Sequence, residues 1–310
     1  MKVSGLICGR KMGNSEILVK EALMGAEELG ADVEIVRLMD LSIKPCTGCE
    51  SCMVKMQKGE PAECVIKDDD MLFLVEKFRS DGMIIGAPVY LLSPPGYLKV
   101  FTDRMLPHEV NFTIEGAKGG EKKRIGGLIS VGGGDHSWVP MGLSLMKVLT
   151  FTELIVVDQL QVCFAGRPGQ VLLDEKVMDR ARKVGRNVVE AIGKPVDEVK
   201  FLGDEPGLCP VCHSDLLIPG KKSLVECPIC GARGTLKVDG DKITMIVHEE
   251  SLKVTRTTLE GRLKHFSEIR EVHEAYYAKK NLIEEKLEKY RLYKSYSLPQ
   301  SYCLKAKGAE

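Results

Sequence analysis

The sequence predicts an α/β fold: a doubly wound parallel sheet of five strands, joined to a small four-cysteine unit and a long C-terminal helix. Three observations carry this expectation. Through residue 200, apolar runs of strand length alternate with amphipathic stretches of helix length, the pattern of a parallel sheet covered on both faces. Past Lys194 the composition changes, and Gly193–Gly207 carries the Pro and Gly of a linker. From Leu259, the residues Leu263, Phe266, Ile269, Val272, Tyr276, Ile283, Leu287 and Tyr290 recur mostly every three or four positions, as on one helical face. The expected division is therefore 1–200, 205–248 and 250–310.

In chain order, the first strand is Lys2–Cys8 and the first helix Ser15–Leu29, whose Leu18, Ala22, Ala26 and Leu29 fall on one buried stripe. A strand over Asp32–Leu38 leads into a cysteine-rich loop at 45–65. A helix at Asp69–Arg79 follows, with Asp68, Asp69 and Asp70 suited to its start. Strands at Gly82–Ala87, Ile125–Val131 and Leu154–Val162 alternate with helices at Pro95–Met105, Val139–Thr150 and Val171–Ile192. Farther on, Asp239-Gly240 marks a hairpin turn between Thr235–Val238 and Ile243–Val247.

A chain of 310 residues with 44 basic and 44 acidic side chains has room for one full domain plus smaller units, and has no formal net charge. That balance argues against bulk electrostatic binding of nucleic acid or an anionic membrane. No apolar run reaches the ~18 residues of a membrane helix, and the N-terminus lacks a signal-peptide layout. The expected compartment is the cytoplasm. Of eleven cysteines, Cys46, Cys49, Cys52 and Cys64 form one set, and Cys209, Cys212, Cys227 and Cys230 another; Cys8, Cys163 and Cys303 stand apart. In a reducing compartment, two such sets read as metal sites rather than disulfides.

In a doubly wound sheet the ligand sits beyond the carboxyl ends of the strands. After the first strand comes Cys8-Gly9-Arg10-Lys11-Met12-Gly13-Asn14-Ser15. Such a loop aims backbone N–H groups and a helix start at an anion. It is neither a Walker loop nor Gly-x-Gly-x-x-Gly, and by itself it leaves two readings: a phosphate cradle, or a plain turn capped by Asn14 or Ser15. The third strand ends in Gly86-Ala87-Pro88-Val89-Tyr90 and leads to Leu98-Lys99-Val100-Phe101-Thr102-Asp103-Arg104. The fourth ends in Gly132-Gly133-Gly134-Asp135.

Together these three elements resemble the NADPH-dependent FMN reductase family of flavodoxin-like proteins over residues 1–192. The resemblance implies a flavodoxin-like fold in which Gly9, Arg10, Gly13, Asn14 and Ser15 hold the phosphate of FMN. Pro88, Val89, Tyr90 and Leu91 would line its ribityl chain and ring, and Gly132, Gly133 and Gly134 would admit the other edge. Cys8 departs from the small hydroxyl residue usual there, and reads as a buried small hydrophobe.

Cys46, Cys49 and Cys52 are spaced three apart, and Cys64 follows after eleven intervening residues. Such a loop can turn several sulfurs toward one iron–sulfur cube. A zinc site, a motif without a cluster and a redox thiol pair are the competing readings. Here the resemblance narrows to the iron–sulfur flavoproteins, which implies a [4Fe–4S] cluster on these four cysteines, with Gly59-Glu60-Pro61 as an insert. In the second set, two Cys-x-x-Cys steps separated by fourteen residues make a tetrahedral site of four thiolates, for either zinc or the iron of a rubredoxin. Leu208–Val238 lacks the aromatic residues that surround rubredoxin iron, which favours zinc and a zinc ribbon over 205–248.

His136 and Trp138 read as loop residues shaping the pocket, with a catalytic His as the alternative. The expected function is an oxidoreductase coupling a two-electron flavin to a one-electron carrier such as ferredoxin, or to NAD(P)H. A flavin or quinone reductase without a cluster and a non-enzymatic redox sensor are the alternatives. The helical stripe points to a homodimer or homotetramer.

Overall fold

A computed structural model describes residues 1–67, 69–120, 123–136, 138–150, 154–221 and 223–293; Asp68 and Cys303 lie outside them. Five apolar runs form strands β1 (Lys2–Ile7), β2 (Asp32–Arg37), β3 (Gly82–Pro88), β4 (Arg124–Val131) and β5 (Leu154–Val162). They pair in parallel in the order β2-β1-β3-β4-β5. Helices follow at α1 (Asn14–Glu27), α2 (Ser51–Gln57), α3 (Asp69–Lys77), α4 (Gly96–Arg104), α5 (Leu106–Ala117), α6 (Pro140–Met146) and α7 (Glu175–Ala191). The fold is the expected flavodoxin-like one.

Successive strand residues face opposite sides, so each strand feeds two cores. Val3, Ile7, Ile84 and Ile129 pack with Leu18, Ala22 and Ala26 of α1 and Val184 and Val188 of α7. Leu6, Cys8, Ile85 and Leu128 pack on the other side with Leu74, Phe78 and Phe101. Leu29 departs from its expected place and is exposed. The helix ends at Glu27, and Gly30, at φ +82°, turns the chain back toward β2.

Two helices were not expected. Helix α5 carries Pro107 in its first turn, where proline is tolerated because its missing N–H would lack a partner anyway. Helix α2 lies inside the cysteine segment. The stretch read as one helix at Val171–Ile192 begins as a 3-10 turn. Asp174 then caps α7 by accepting from the N–H groups of Lys176 and Val177 at 3.0 and 3.2 Å.

The Gly193–Gly207 stretch is strapped along β5. Leu202 N–H donates to Val157 O at 2.7 Å, and Asn187 Nδ2 donates both to Leu202 O and to the buried Asp158. Arg180 closes a two-pronged pair on Asp158. Beyond it lies an antiparallel sheet of β6 (Ile218–Pro219), β7 (Leu224–Glu226), β8 (Arg233–Asp239) and β9 (Lys242–Val247). The β8–β9 turn pairs Asp239 with Lys242 around Gly240 at φ +59°. A short helix, α8 (Glu249–Lys253), precedes α9 (Leu259–Ala278) and α10 (Lys280–Arg291), so the long helical stretch is interrupted at Lys279. The chain divides into compact units Met1–Lys264 and His265–Glu310. Among the described residues, no helix is long and apolar enough to cross a membrane.

Candidate functional site

In this strand order the winding reverses between β1 and β3, and the loops diverge at the carboxyl edge. An open cleft lies there. The β1 loop contributes Arg10, Gly13, Asn14 and Ser15, and the β3 loop Pro88, Val89 and Tyr90. The β4 loop contributes Gly132 and Gly133, and the β5 loop Ala165 and Gly166. Gly9, Leu91 and Gly134 adjoin this lining rather than belonging to it.

Gly9 is needed because a Cβ there would stand 2.3 Å from Ser15 Oγ and 3.2 Å from Pro88. A Cβ on Gly133 would meet Gly166 Cα at 3.1 Å, so two backbones touch where β4 and β5 end. Gly132 N–H donates to Val162 O and Ala165 N–H donates back to Gly132 O, both at 2.9 Å. Leu91 is 99% exposed at the tip of the turn from Tyr90 to Ser93, with φ +48°. Its side chain faces solvent.

Within the β1 loop, Met12 N–H is spent on Glu16 Oε2 at 2.9 Å and Gly13 N–H on Arg10 O at 3.1 Å. Burial opposes ionisation of Glu16, but Lys20 at 2.6 Å, the Met12 N–H and Arg37 outweigh it and hold its carboxyl below the usual range. Gly13 takes the N-cap position of α1, and neither Asn14 nor Ser15 caps the helix. Instead Asn14 Nδ2 donates to Ala165 O and Arg167 O, both at 2.8 Å, bracing the β5 loop. The first N–H groups of α1 have no acceptor within the helix and remain for an anion.

The β5 loop went unnoticed in the sequence, although Cys163-Phe164-Ala165-Gly166-Arg167 offers the same signal of glycine and arginine after a strand. Cys163 Sγ stands 3.6 Å from His136 Nδ1, and burial pushes its thiol up. Cys8 is fully buried in the second core, and its thiol is likewise held well above its ordinary value.

In the early cysteine segment, Gly48 at φ +67° and Glu50 at φ +59° turn the chain into α2. Cys46 and Cys49 are exposed, and Cys52 and Cys64 half-buried. Burial raises the Cys52 thiol, and the nearby Cys64 and Cys46 raise it further. Among the described residues, no three of these sulfurs come within the 4.8 Å that gathers the late four.

The late cysteines are packed more tightly, with all four sulfurs within 4.8 Å of one another. Cys209 Sγ and Cys230 Sγ stand 3.6 Å apart, and Cys212 Sγ and Cys227 Sγ 3.5 Å. Four sulfurs bound at about 2.3 Å to one tetrahedral ion lie roughly 3.8 Å apart. A cubane, with one sulfur on each of four irons, spreads them wider. The donor set thus suits a single ion. Two matching knuckles build it: Cys209 N–H donates to Ser214 O and Cys227 N–H to Ala232 O, while His213 N–H and Gly231 N–H return to the cysteine carbonyls. His213 and Gly231 both take the left-handed conformation that this turn requires. The buried Lys147 Nζ donates to His213 O; burial pushes its ammonium down to about 8, against the thiol of Cys212 and the carboxyl of Asp215.

Residues 1–168 match the family described as NADPH-dependent FMN reductase. The flavone synthase cfoJ of Aspergillus candidus is 28% identical over 289 residues, covering 87% of this chain and 88% of that protein. An iron–sulfur flavoprotein of Archaeoglobus fulgidus is 32% identical over 194 residues, covering 62% of this chain and 80% of that protein. A solved flavone reductase superposes with TM-score 0.78 at 27% identity, covering 96% of this chain and 100% of that one. The family match spans more than half of the chain and reaches into the β5 loop that completes the cleft. This chain therefore belongs to the NADPH-dependent FMN reductase family of oxidoreductases, alongside the iron–sulfur flavoproteins.

Proposed function

We propose that the protein is an FMN-dependent iron–sulfur flavoprotein that passes electrons between the flavin and a one-electron carrier such as ferredoxin, with NAD(P)H as the other candidate donor. The observation that carries this reading is the cleft at the β1/β3 switch, where a helix start with Arg10 meets glycine backbone from the ends of β4 and β5 and the Pro88–Tyr90 turn after β3. The start of α1 and Arg10 would hold the phosphate, with Gly9, Gly13, Asn14 and Ser15 shaping the loop. Pro88, Val89, Tyr90 and Leu91 would flank the ribityl chain and ring, and Gly132, Gly133 and Gly134 would let the ring's other edge approach. When bound, FMN supplies the exchange of two electrons for single ones. Cys46, Cys49, Cys52 and Cys64 would hold a [4Fe–4S] cluster, and Cys209, Cys212, Cys227 and Cys230 a structural zinc.

We keep the three-part division 1–200, 205–248 and 250–310, a cytoplasmic setting, and a homodimer or homotetramer within this proposal. A second reading is favoured by one observation: similarity to the flavone enzymes runs over almost the whole chain, whereas the iron–sulfur flavoprotein match covers 62% of it. In that reading the flavin's partner is a flat aromatic ketone with a carbon–carbon double bond.

Anaerobic purification with FMN, iron, sulfide and zinc analysis tests the cofactor set. Turnover with reduced ferredoxin, NADPH, or a flavone acceptor then separates the two readings. A protein that takes up no FMN would overturn both.

A further inference from the structure

Helices α4 and α5 hold the cysteine segment at Lys44, Ala62 and Ile66. Arg104, only 3% exposed, reaches both ends of it: Nη1 donates to Lys44 O at 2.8 Å and Nη2 to Ile66 O at 3.2 Å. These carbonyls stand two residues before Cys46 and two after Cys64. Asn111 grips the middle of the return with both ends of its amide: Ala62 N–H donates to Oδ1 at 2.8 Å, and Nδ2 donates to Ala62 O at 2.9 Å. Ala62 itself is 5% exposed.

The long gap between Cys52 and Cys64 is also accounted for. Much of it is the helix α2, which advances only about 1.5 Å per residue, whereas non-helical chain can advance about 3.3 Å. Gly59, at φ +74°, reverses the chain, and the few residues after it suffice to retrace the helix. Lys55 on α2 closes an ion pair with Glu63 on the return at 2.6 Å.

We propose that Arg104 and Asn111 are positioning residues: together they close the cysteine loop and bring Cys64 to Cys46 and Cys52 as the fourth sulfur. The assignment rests on the cluster reading above. A guanidinium suits the task because two carbonyls 22 residues apart need two donors fixed in one plane, which a lysine ammonium does not offer. Asn111 suits it because one amide can serve both the N–H and the C=O of a single residue.

The test compares Asn111→Ala and Arg104→Lys with the wild type, each purified anaerobically with FMN bound. In both variants we expect the chelator concentration that strips half of the iron to fall about tenfold, the scale seen when groups that orient metal ligands are removed. FMN content and the late-site metal should stay at wild-type values in both variants. Hydrogen exchange on the metal-free proteins gives the second readout: the Ala62 amide should lose protection in Asn111→Ala, and residues 44–66 should exchange faster in Arg104→Lys. Wild-type iron retention in both variants, or unchanged exchange in the segment, would overturn the proposal. A wild type that binds FMN but no iron would sink the cluster reading instead, and loop closure would then be decided by exchange alone.

Discussion

A methyl group added at Gly9 would stand 2.3 Å from Ser15 Oγ, so Gly9→Ala must displace either the serine or the β1 loop. Overpacking of this kind costs about 1–3 kcal/mol, which predicts roughly a five- to 150-fold weaker FMN complex. Fluorescence titration with FMN measures it, and wild-type affinity would show that the loop does not cradle the ligand. His108 gives a second residue-scale prediction. Burial, aided by the guanidinium groups of Arg79 and Arg104, holds its imidazolium below the ordinary value. As pH falls below about 6.5 the unfolded chain takes up this proton before the folded one does, so stability is present above that pH and drains away below it. His108→Gln should therefore flatten the fall in melting temperature between about pH 8 and about pH 5.5; an unchanged slope would assign that fall to other groups. At this scale the sequence was readable where chemistry is local. It pointed to Asn14 and to the strand-end glycines, but the partners of Asn14 lie at Ala165 and Arg167, 151 and 153 positions away. No local pattern contains that.

The elements were legible in proportion to their own apolar pattern. The five strands lie within a residue of their expected ends; β1, β3, β4 and β5 are largely buried apolar runs, whereas the edge strand β2 buries only Val36 fully. Helices α2 and α5 were missed: one is seven residues long inside a motif read for its sulfurs, and the other carries a proline, Pro107, in its first turn. The β6–β9 sheet makes the clearest element-scale prediction. Its core consists of the four late cysteines with Val225, Ile229, Ala232 and Met245, so the sulfurs themselves are core residues. Cys227→Ser, or removal of the metal by a chelator, should release the ion and open the chain after Leu202 to protease. FMN absorbance should persist, because neither core of the five-stranded sheet contains these sulfurs. Loss of iron in place of the late-site ion would show that the metals had been assigned to the wrong cysteines.

For the whole molecule, the unit beginning at His265 presents Val272, Tyr276, Tyr277, Leu282 and Tyr290 to solvent. Apolar surface of this extent is rarely left bare, and the expected outcome is a homodimer or homotetramer by light scattering at micromolar concentration. Tyr276→Glu with Tyr290→Glu should shift the protein toward monomer, and a wild-type monomer would refute the expectation. The buried Lys147 has a consequence of another kind, in time rather than space. A ribosome delivers all five strands before it reaches His213, whose carbonyl accepts from this ammonium. Until then the half-made protein lacks that acceptor, and a hydrogen bond to a charged group is worth about 1.5–3 kcal/mol. A chain ending at Lys194 should therefore melt below the full protein, and Lys147→Met should restore part of the difference only in the shortened chain. If it does, the sheet leaves the ribosome folded but gains its last increment of stability only when the first cysteine knuckle arrives.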